Sequence, residues 1–116
     1  MKKQSVIKSE RVLNQVSKLI FKKVCGRVYS IWGSTYKVEI DDFVKGNIKH
    51  IIVSSPVHHL MMKCVIDEVW EVVDEYEKKY GNCICGLIDT RPYLSSDDET
   101  WLHMPVIEIT VRRMED

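Results

Sequence analysis

Alanine is absent from this chain of 116 residues, and asparagine and glutamine together supply only five positions. Valine and isoleucine instead supply 27 residues, and lysine outnumbers arginine by 12 to 5. This bias is typical of AT-rich genomes, and a shortage of amide side chains is a feature of thermophile proteins. The composition therefore indicates a hyperthermophilic archaeon or one of its viruses as the source.

Long apolar runs are also absent. No stretch approaches the roughly 18 to 20 apolar residues that a membrane span needs, and the Lys-rich start lacks the apolar core of a signal peptide. We therefore expect no membrane association and a cytoplasmic location, in the host cytoplasm if the source is viral. The length predicts a single domain over 1–116, and 45% hydrophobic with 29% charged residues is typical of a folded globular protein.

The net charge is zero, but the charges are unevenly placed along the chain. Residues 1–27 carry eight basic groups and one acidic group, whereas residues 67–99 carry ten acidic and three basic groups. Such asymmetry predicts either charged partners or one half of the domain docking on the other.

A first helix is predicted over residues 5–23. At 100° per residue its apolar positions share one side, and the opposite side carries a basic stripe. A basic stripe of this kind can contact a nucleic-acid backbone, be solvated, or pair with an acidic helix of the same fold. The candidate nucleic-acid-binding residues are Lys8, Arg11, Lys18 and Lys22.

The stretch "RVYSIWGSTYKVEI" predicts a β-hairpin, because Gly33-Ser34 suits a type II′ turn and places the apolar residues of both strands on one face. A turn at "KGN" and a short strand, "HIIVS", follow. Ser54 or Ser55 then caps a second helix, with Pro56 at its first position, that runs to about Tyr80 and stops at Gly81. Its outer face is acidic and consists of Asp67, Glu68, Glu71, Asp74 and Glu75.

"CICGLID" is apolar on both faces, which favours a central strand. A loop of about a dozen residues, "RPYLSSDDETWLHM", and a half-exposed strand, "PVIEITVRR", complete the chain. The order α-β-β-β-α-β-β predicts an α+β two-layer sandwich with a mixed sheet of about five strands and one long crossover helix. The strands at 49–54 and 83–90 are expected to be parallel. Another subunit or the first helix would cover the second sheet face, and we favour a homodimer.

Two cysteines, Cys83 and Cys85, stand one residue apart and suggest half of a metal site. The adjacent His58 and His59 cannot complete it, because the predicted crossover puts them roughly 20 Å away and zinc ligands lie about 2.0 to 2.3 Å from the metal. A weaker zinc site would use Cys25, His50, Cys83 and Cys85. Core packing and a disulfide are the alternatives, of which core packing is favoured because cysteine is among the most buried residue types. Cys64 is expected to be exposed or to face a partner.

The opposite sheet edge gathers the candidate catalytic residues His58, His59, Asp89 and His103, beside the acidic loop residues 97–99. Ligands of sheets with parallel strands bind beyond the carboxyl ends of those strands. Imidazoles with carboxylates could hold a divalent metal for phosphodiester hydrolysis. The alternative, which we favour, is that Ser55 is only a helix cap and the acidic loop is solvated, because no two of these residues have a recognised ligand spacing.

The chain contains no strong catalytic motif. The sequence therefore predicts a small binding protein that is not an enzyme, using either the basic first helix on nucleic acid or the acidic second helix on a basic protein. The alternative is a metal-dependent hydrolase or nuclease. No cofactor is predicted, and zinc or another divalent metal belongs only to the alternatives.

Overall fold

The computed structural model describes residues 5–32, 36–55, 63–94 and 100–114. Its elements are α1 (Glu10–Trp32), β1 (Lys37–Val44), β2 (Ile48–Ser54), α2 (Lys63–Tyr80), a 3₁₀ turn (Gly81–Cys83), β3 (Ile84–Leu94) and β4 (Trp101–Arg112). The described strands form one sheet in the order β1-β2-β4-β3. Every neighbouring pair is antiparallel. The α+β class is confirmed, but four antiparallel strands replace the predicted mixed sheet of about five.

β2 and β3 do run in the same direction, because each is antiparallel to β4. They are not neighbours, however, since β4 lies between them. The two strands that were predicted to pair directly are therefore separated by β4, which pairs antiparallel with both.

The first helix was predicted over 5–23, but it starts later and ends later, at Glu10–Trp32, and it includes half of the predicted hairpin. Ser9 caps its start, because Ser9 Oγ accepts a hydrogen bond from the backbone N–H of Val12 at 3.2 Å. The helix then continues to Trp32, and residues 27–32 are helical rather than extended. The physical reason is a spacing of four between Val24 and Val28, both fully buried, which continues the helical stripe through the segment. Residues 33–35, the predicted turn, lie outside the described residues.

The second half of that hairpin and the strand after it are confirmed as β1 and β2. They are joined by a turn at 45–47, where Gly46 has a φ of +80°. This left-handed conformation strongly favours glycine, so the "KGN" signal was a reliable one.

Both helices cover the same face of the sheet. Val38, Val53 and Ile107 share one row across the strands, Ile51 and Ile109 share the next, and all are buried with the apolar faces of α1 and α2. The helical contribution to this core is Leu13, Val16, Ile20, Val24, Val28, Val65, Val69, Val72, Val73 and Tyr76. Of the two predicted covers of the second face, another subunit or the first helix, the structure contradicts the first helix.

β3 is an edge strand, so its predicted central position is wrong. Its two-sided apolar pattern leaves Leu87 42% and Ile88 50% exposed. The predicted long loop is also largely strand, because β3 continues to Leu94 and β4 starts at Trp101. β2 ends opposite Val106, so residues 90–94 and 101–105 form a two-stranded ribbon beyond the sheet.

α2 ends where the sequence predicts. Tyr80 is its last residue, and Gly81 follows with a φ of +59°. The described part of α2 begins at Lys63, and the predicted start at Pro56 lies outside the described residues. Neither of the described helices is both long enough and apolar enough to cross a membrane.

Candidate nucleic-acid interface

The basic residues of α1 divide into two groups, and the first group joins α1 to α2. Lys23 Nζ lies 2.7 Å from Glu75 Oε2. Arg27 Nη1 lies 2.7 Å from Glu68 Oε2 and 3.4 Å from Glu71 Oε2. The hydrogen bond from Lys23 to Glu75 raises the pKa of Lys23, and the hydrogen bond from Arg27 to Glu68 raises the pKa of Arg27. The basic and acidic halves of the sequence thus dock partly on each other.

The second group faces solvent. Arg11, Lys18 and Lys22 are exposed, and in the described part of the chain none of them has a carboxylate partner. At 100° per residue they share an arc of roughly 60° with Gln15, and a rise of 1.5 Å per residue spreads them over roughly 16 Å. We call these four residues the basic stripe.

Lys8, the fourth predicted nucleic-acid-binding residue, precedes α1. Its side chain is exposed, and its backbone carbonyl accepts a hydrogen bond from Arg113 Nε at 2.7 Å. Lys8 is therefore held next to the start of the basic stripe, near the end of β4.

The basic stripe has an exposed apolar side chain along one side and a shallow groove along the other. Leu19, 53% exposed, lies beside Lys18 and Lys22 and adds an apolar contact. On the other side, Asn14 and Lys18 line a shallow groove between α1 and the β1–β2 pair. Lys49 also lines that groove, but it is ion-paired with Asp42. The free cations of this region are thus on α1.

The acidic face of α2 is largely neutralised within the protein. Glu68, Glu71 and Glu75 face the cations of α1. Asp67 Oδ2 lies 2.9 Å from Lys63 Nζ, one turn earlier on the same helix. Of the five residues of the predicted acidic face, only Asp74 lacks an ion pair within the described residues. Less acidic surface is left for a basic partner than the sequence suggests.

The four residues of the weaker zinc site do not come together. Cys25 packs against the core on the helix-covered side, and burial raises the pKa of its thiol. Cys83 is buried in the 3₁₀ turn, where Sγ accepts the N–H of Ile7 at 3.4 Å. His50 and Cys85 lie on the second face of the sheet, on either side of Thr110. Among the described residues, no three His, Cys, Asp or Glu side chains could hold one metal ion.

The structure corrects some of the predictions about the cysteines and confirms others. Cys83 and Cys85 do not share a strand face, because the 3₁₀ turn at 81–83 interrupts the alternation just before β3. Cys83 is a core residue, as favoured, whereas Cys85 is exposed. Cys64 is exposed, as predicted, and all four cysteines are free thiols.

The candidate catalytic cluster is only partly described, since His58, His59 and the acidic loop 97–99 lie outside the described residues. Asp89 faces Val106 in the β3–β4 ladder, and Asp89 Oδ1 accepts the N–H of Thr90 at 2.8 Å. His103 faces Pro92, three positions along β3 from Asp89. An odd number of positions places Asp89 and His103 on opposite faces of the ribbon, roughly 10 Å apart along the strand. These two side chains cannot share a ligand.

Sequence reasoning missed the exposed apolar edge made by Leu87 and Ile88. The apolar residues on both faces of "CICGLID" form this edge, but the same pattern also predicts a buried central strand. It also missed the ion pair between Arg91 Nη2 and Glu108 Oε1, 3.0 Å apart, on the second face.

Comparison of the chain with models of protein families, with curated proteins and with solved structures gave no match. The fold and surfaces described above are therefore the basis for assigning a function.

Proposed function

We propose that this chain is a non-enzymatic protein that binds the phosphate backbone of nucleic acid through the basic stripe of α1. One observation carries the proposal. α2 neutralises Lys23 and Arg27 with its carboxylates, but Arg11, Lys18 and Lys22 face solvent without such partners in the described chain. Basic residues without an internal role, on one face of a rigid helix, are suited to contact an anionic surface.

The expected mode is sequence-independent contact with phosphates. Three cations over roughly 16 Å reach several phosphates of one duplex groove, and Gln15 adds a hydrogen-bonding amide between them. Binding of this kind releases counterions, and the logarithm of affinity falls by about 0.9 per phosphate contact for each logarithmic unit of salt. Three contacts predict a loss of affinity of about 40-fold between about 50 and about 200 mM salt.

The test is fluorescence anisotropy of the protein with a labelled duplex and a labelled single strand over that range of salt. The triple variant Arg11→Gln, Lys18→Gln, Lys22→Gln should lose most of its affinity and its salt dependence. The matched control removes the same charge elsewhere, through Lys45→Gln, Lys78→Gln and Lys79→Gln, at three exposed lysines outside the basic stripe. It should bind as the unmodified chain does.

Two results would contradict this proposal. Absence of binding to both probes at the lowest salt would remove nucleic acid as the partner. An equal loss of affinity in both triple variants would show that net charge, not the basic stripe, governs binding.

The alternatives gain less from the structure. A basic protein partner of α2 would compete with Lys23 and Arg27 for the same carboxylates. A hydrolase or nuclease would have to do without a joint role for Asp89 and His103. Its test is divalent-metal-dependent cleavage that disappears in both His58→Ala and Asp89→Ala variants.

A further inference from the structure

The two edges of the sheet are protected unequally against pairing with another strand. β1 carries charged side chains at Lys37, Glu39, Asp41 and Asp42, and its register shifts just after Asp42. Edge charges and irregularities of this kind prevent strand addition. The first half of β3, from Ile84 to Ile88, carries neither. The described residues therefore leave this half of the β3 edge open to pairing.

The direction of the hydrogen-bonding groups of β3 follows from its prolines. In an antiparallel pair, residues that exchange hydrogen bonds with the neighbouring strand alternate with residues whose N–H and C=O point away from it. Pro92 has no N–H, and Thr90 faces Pro105, which has none either. Both pairs fit only as the non-hydrogen-bonded type, so even-numbered residues of β3 point away from β4. Gly86 and Ile88 have the same parity.

Two neighbouring outward donors are already satisfied within the chain. The N–H of Thr90 donates to Asp89 Oδ1 at 2.8 Å. The N–H of Ile84 donates to a carbonyl of the 3₁₀ turn. Between them, the N–H groups of Gly86 and Ile88 point outward, and no group in the described part of the chain accepts from them. The open edge is thus a short window with two donors.

The side chains around this window are apolar. Leu87 projects on the second face, and Ile88 projects on the helix-covered face. Ile66 and Trp70 of α2 are partly buried and flank the same edge, on the side of α2 opposite the carboxylates that contact α1. Trp70 lies directly over Gly86, where an added Cβ would be 3.1 Å from its Cζ3 atom.

We propose that the β3 strands of two copies of this chain pair antiparallel about a twofold axis at Leu87, joining the two sheets. Leu87 then faces Leu87 of the second copy in a non-hydrogen-bonded pair. Gly86 faces Ile88 of the second copy, and this pair exchanges two hydrogen bonds. The twofold axis repeats the pair, so four bonds satisfy all four outward donors.

The window is complementary to itself, which favours a second copy over an unrelated strand. Ile88 would lie beside Gly86 of the second copy, where the absence of a side chain lets Trp70 lie directly over the strand. Each half-exposed Ile88 would therefore be covered by the indole of the other copy. This pairing does not depend on the basic stripe, which lies on the other helix.

Mass in solution tests the pairing, by light scattering after size exclusion. The unmodified chain should have twice the monomer mass of 13.6 kDa. Ile88→Glu should have the monomer mass, because pairing would place an unpaired carboxylate against the indole of the second copy, whose ring face repels negative charge. Phe43→Glu is the matched control, since Phe43 is 65% exposed on the other edge, and it should stay dimeric. Circular dichroism should show that both variants are folded.

A cross-link tests the register without relying on a loss of association. In a Cys64→Ser, Cys85→Ser background, Leu87→Cys would place two thiols in a non-hydrogen-bonded pair about 4.5 Å apart at Cα, within the range for a disulfide. Oxidised glutathione should convert this variant to a covalent dimer. Ile88→Cys in the same background should stay uncrosslinked, because its Cα atoms would be more than about 7 Å apart.

Three outcomes would overturn the pairing. One is a monomeric unmodified chain at every concentration measured, which would leave the edge to some other strand. Another is an Ile88→Glu variant that remains dimeric. The third is cross-linking of Ile88→Cys as efficiently as Leu87→Cys, which would exclude the twofold register at Leu87.

Discussion

Arg27 of α1 places Nη1 2.7 Å from Oε2 of Glu68 on α2, across 41 positions of sequence. Lys23, one turn earlier on α1, forms a second ion pair with Glu75 of α2. Together the two ion pairs join the basic helix to the acidic one. The carboxylates of α2 therefore neutralise part of the positive charge of α1. Only the basic residues of α1 that α2 does not contact are available to bind partners.

Charge reversal at Arg27 should show that these ion pairs stabilise the fold. Arg27→Glu places a carboxylate against Glu68 and Glu71, so its thermal midpoint should fall at low salt and recover partly at high salt. Adding Glu68→Arg to this variant should restore most of the loss, because the pair is re-formed with opposite polarity. Additive losses in the double variant would mean that the two side chains do not interact in solution.

Residues 28 and 29 distinguish a helix from a strand in the segment 27–32. Val28 is fully buried and Tyr29 is 45% exposed, whereas a hairpin would place Tyr29 on the shared apolar face of its two strands. Val28→Asp should cost about 3 kcal/mol or more in the free energy of unfolding, since it buries an unpaired carboxylate. Tyr29→Asp should cost about 1 kcal/mol or less. Denaturant titrations measure both, and the reverse order of losses would favour the hairpin.

That segment shows what local patterns could not decide. Val28 and Tyr29 belong to a run rich in β-branched and aromatic residues followed by Gly33-Ser34, which favours a hairpin locally. Burial of Val28 with the apolar face of α2 overrides that preference, and such tertiary packing is not visible in a short window. By contrast, Gly46 and Gly81 adopt positive φ values, and their turn and helix end were predicted correctly because glycine acts locally.

The position of β3 in the sheet is another feature that local sequence patterns could not predict. An apolar pattern on both faces, as at Leu87 and Ile88, predicts a central strand, whereas β3 lies at the edge and both side chains are about half-exposed. Strand order is set by long-range pairing, and the insertion of β4 between β2 and β3 has no signature in either strand alone. The exposure of Arg11, Lys18 and Lys22 was predictable because helical periodicity alone determines it.

Glycine has opposite roles at two positions, which matched substitutions should reveal. An added Cβ at Gly86 would lie 3.1 Å from Trp70 Cζ3 and 3.2 Å from Val73 Cγ1, whereas one at Gly26 in α1 would meet no atom within 4 Å. Gly86→Val should destabilise the fold by about 1 to 3 kcal/mol through overpacking. Gly26→Ala should stabilise it by about 0.5 to 1 kcal/mol, because alanine favours a helix interior.

The control for Gly86 removes the opposing ring. In a Trp70→Leu background the additional cost of Gly86→Val should shrink, and equilibrium unfolding of the four chains gives the coupling directly. An unchanged cost would mean that α2 does not approach β3 as closely as the structure shows.

The four cysteines should react with a thiol reagent in an order set by burial and pKa. Cys64 and Cys85 are exposed and should be modified first. Cys25 is half-buried and its pKa is raised by burial, so at mildly alkaline pH a smaller fraction is thiolate and its modification should be slower, accelerating as pH rises. Cys83, 1% exposed, should react only when the fold opens.

Single-cysteine chains, with serine at the other three positions, make this order measurable by mass spectrometry. The other three cysteines must also be assayed in chains that keep Cys83, because its Sγ accepts the N–H of Ile7 and its loss would loosen the N-terminal segment. Denaturant should abolish the differences in accessibility. Modification of Cys83 as fast as Cys85 in the native protein would contradict its place in the core and, with it, the break in strand alternation that puts Cys85 on the outer face of β3.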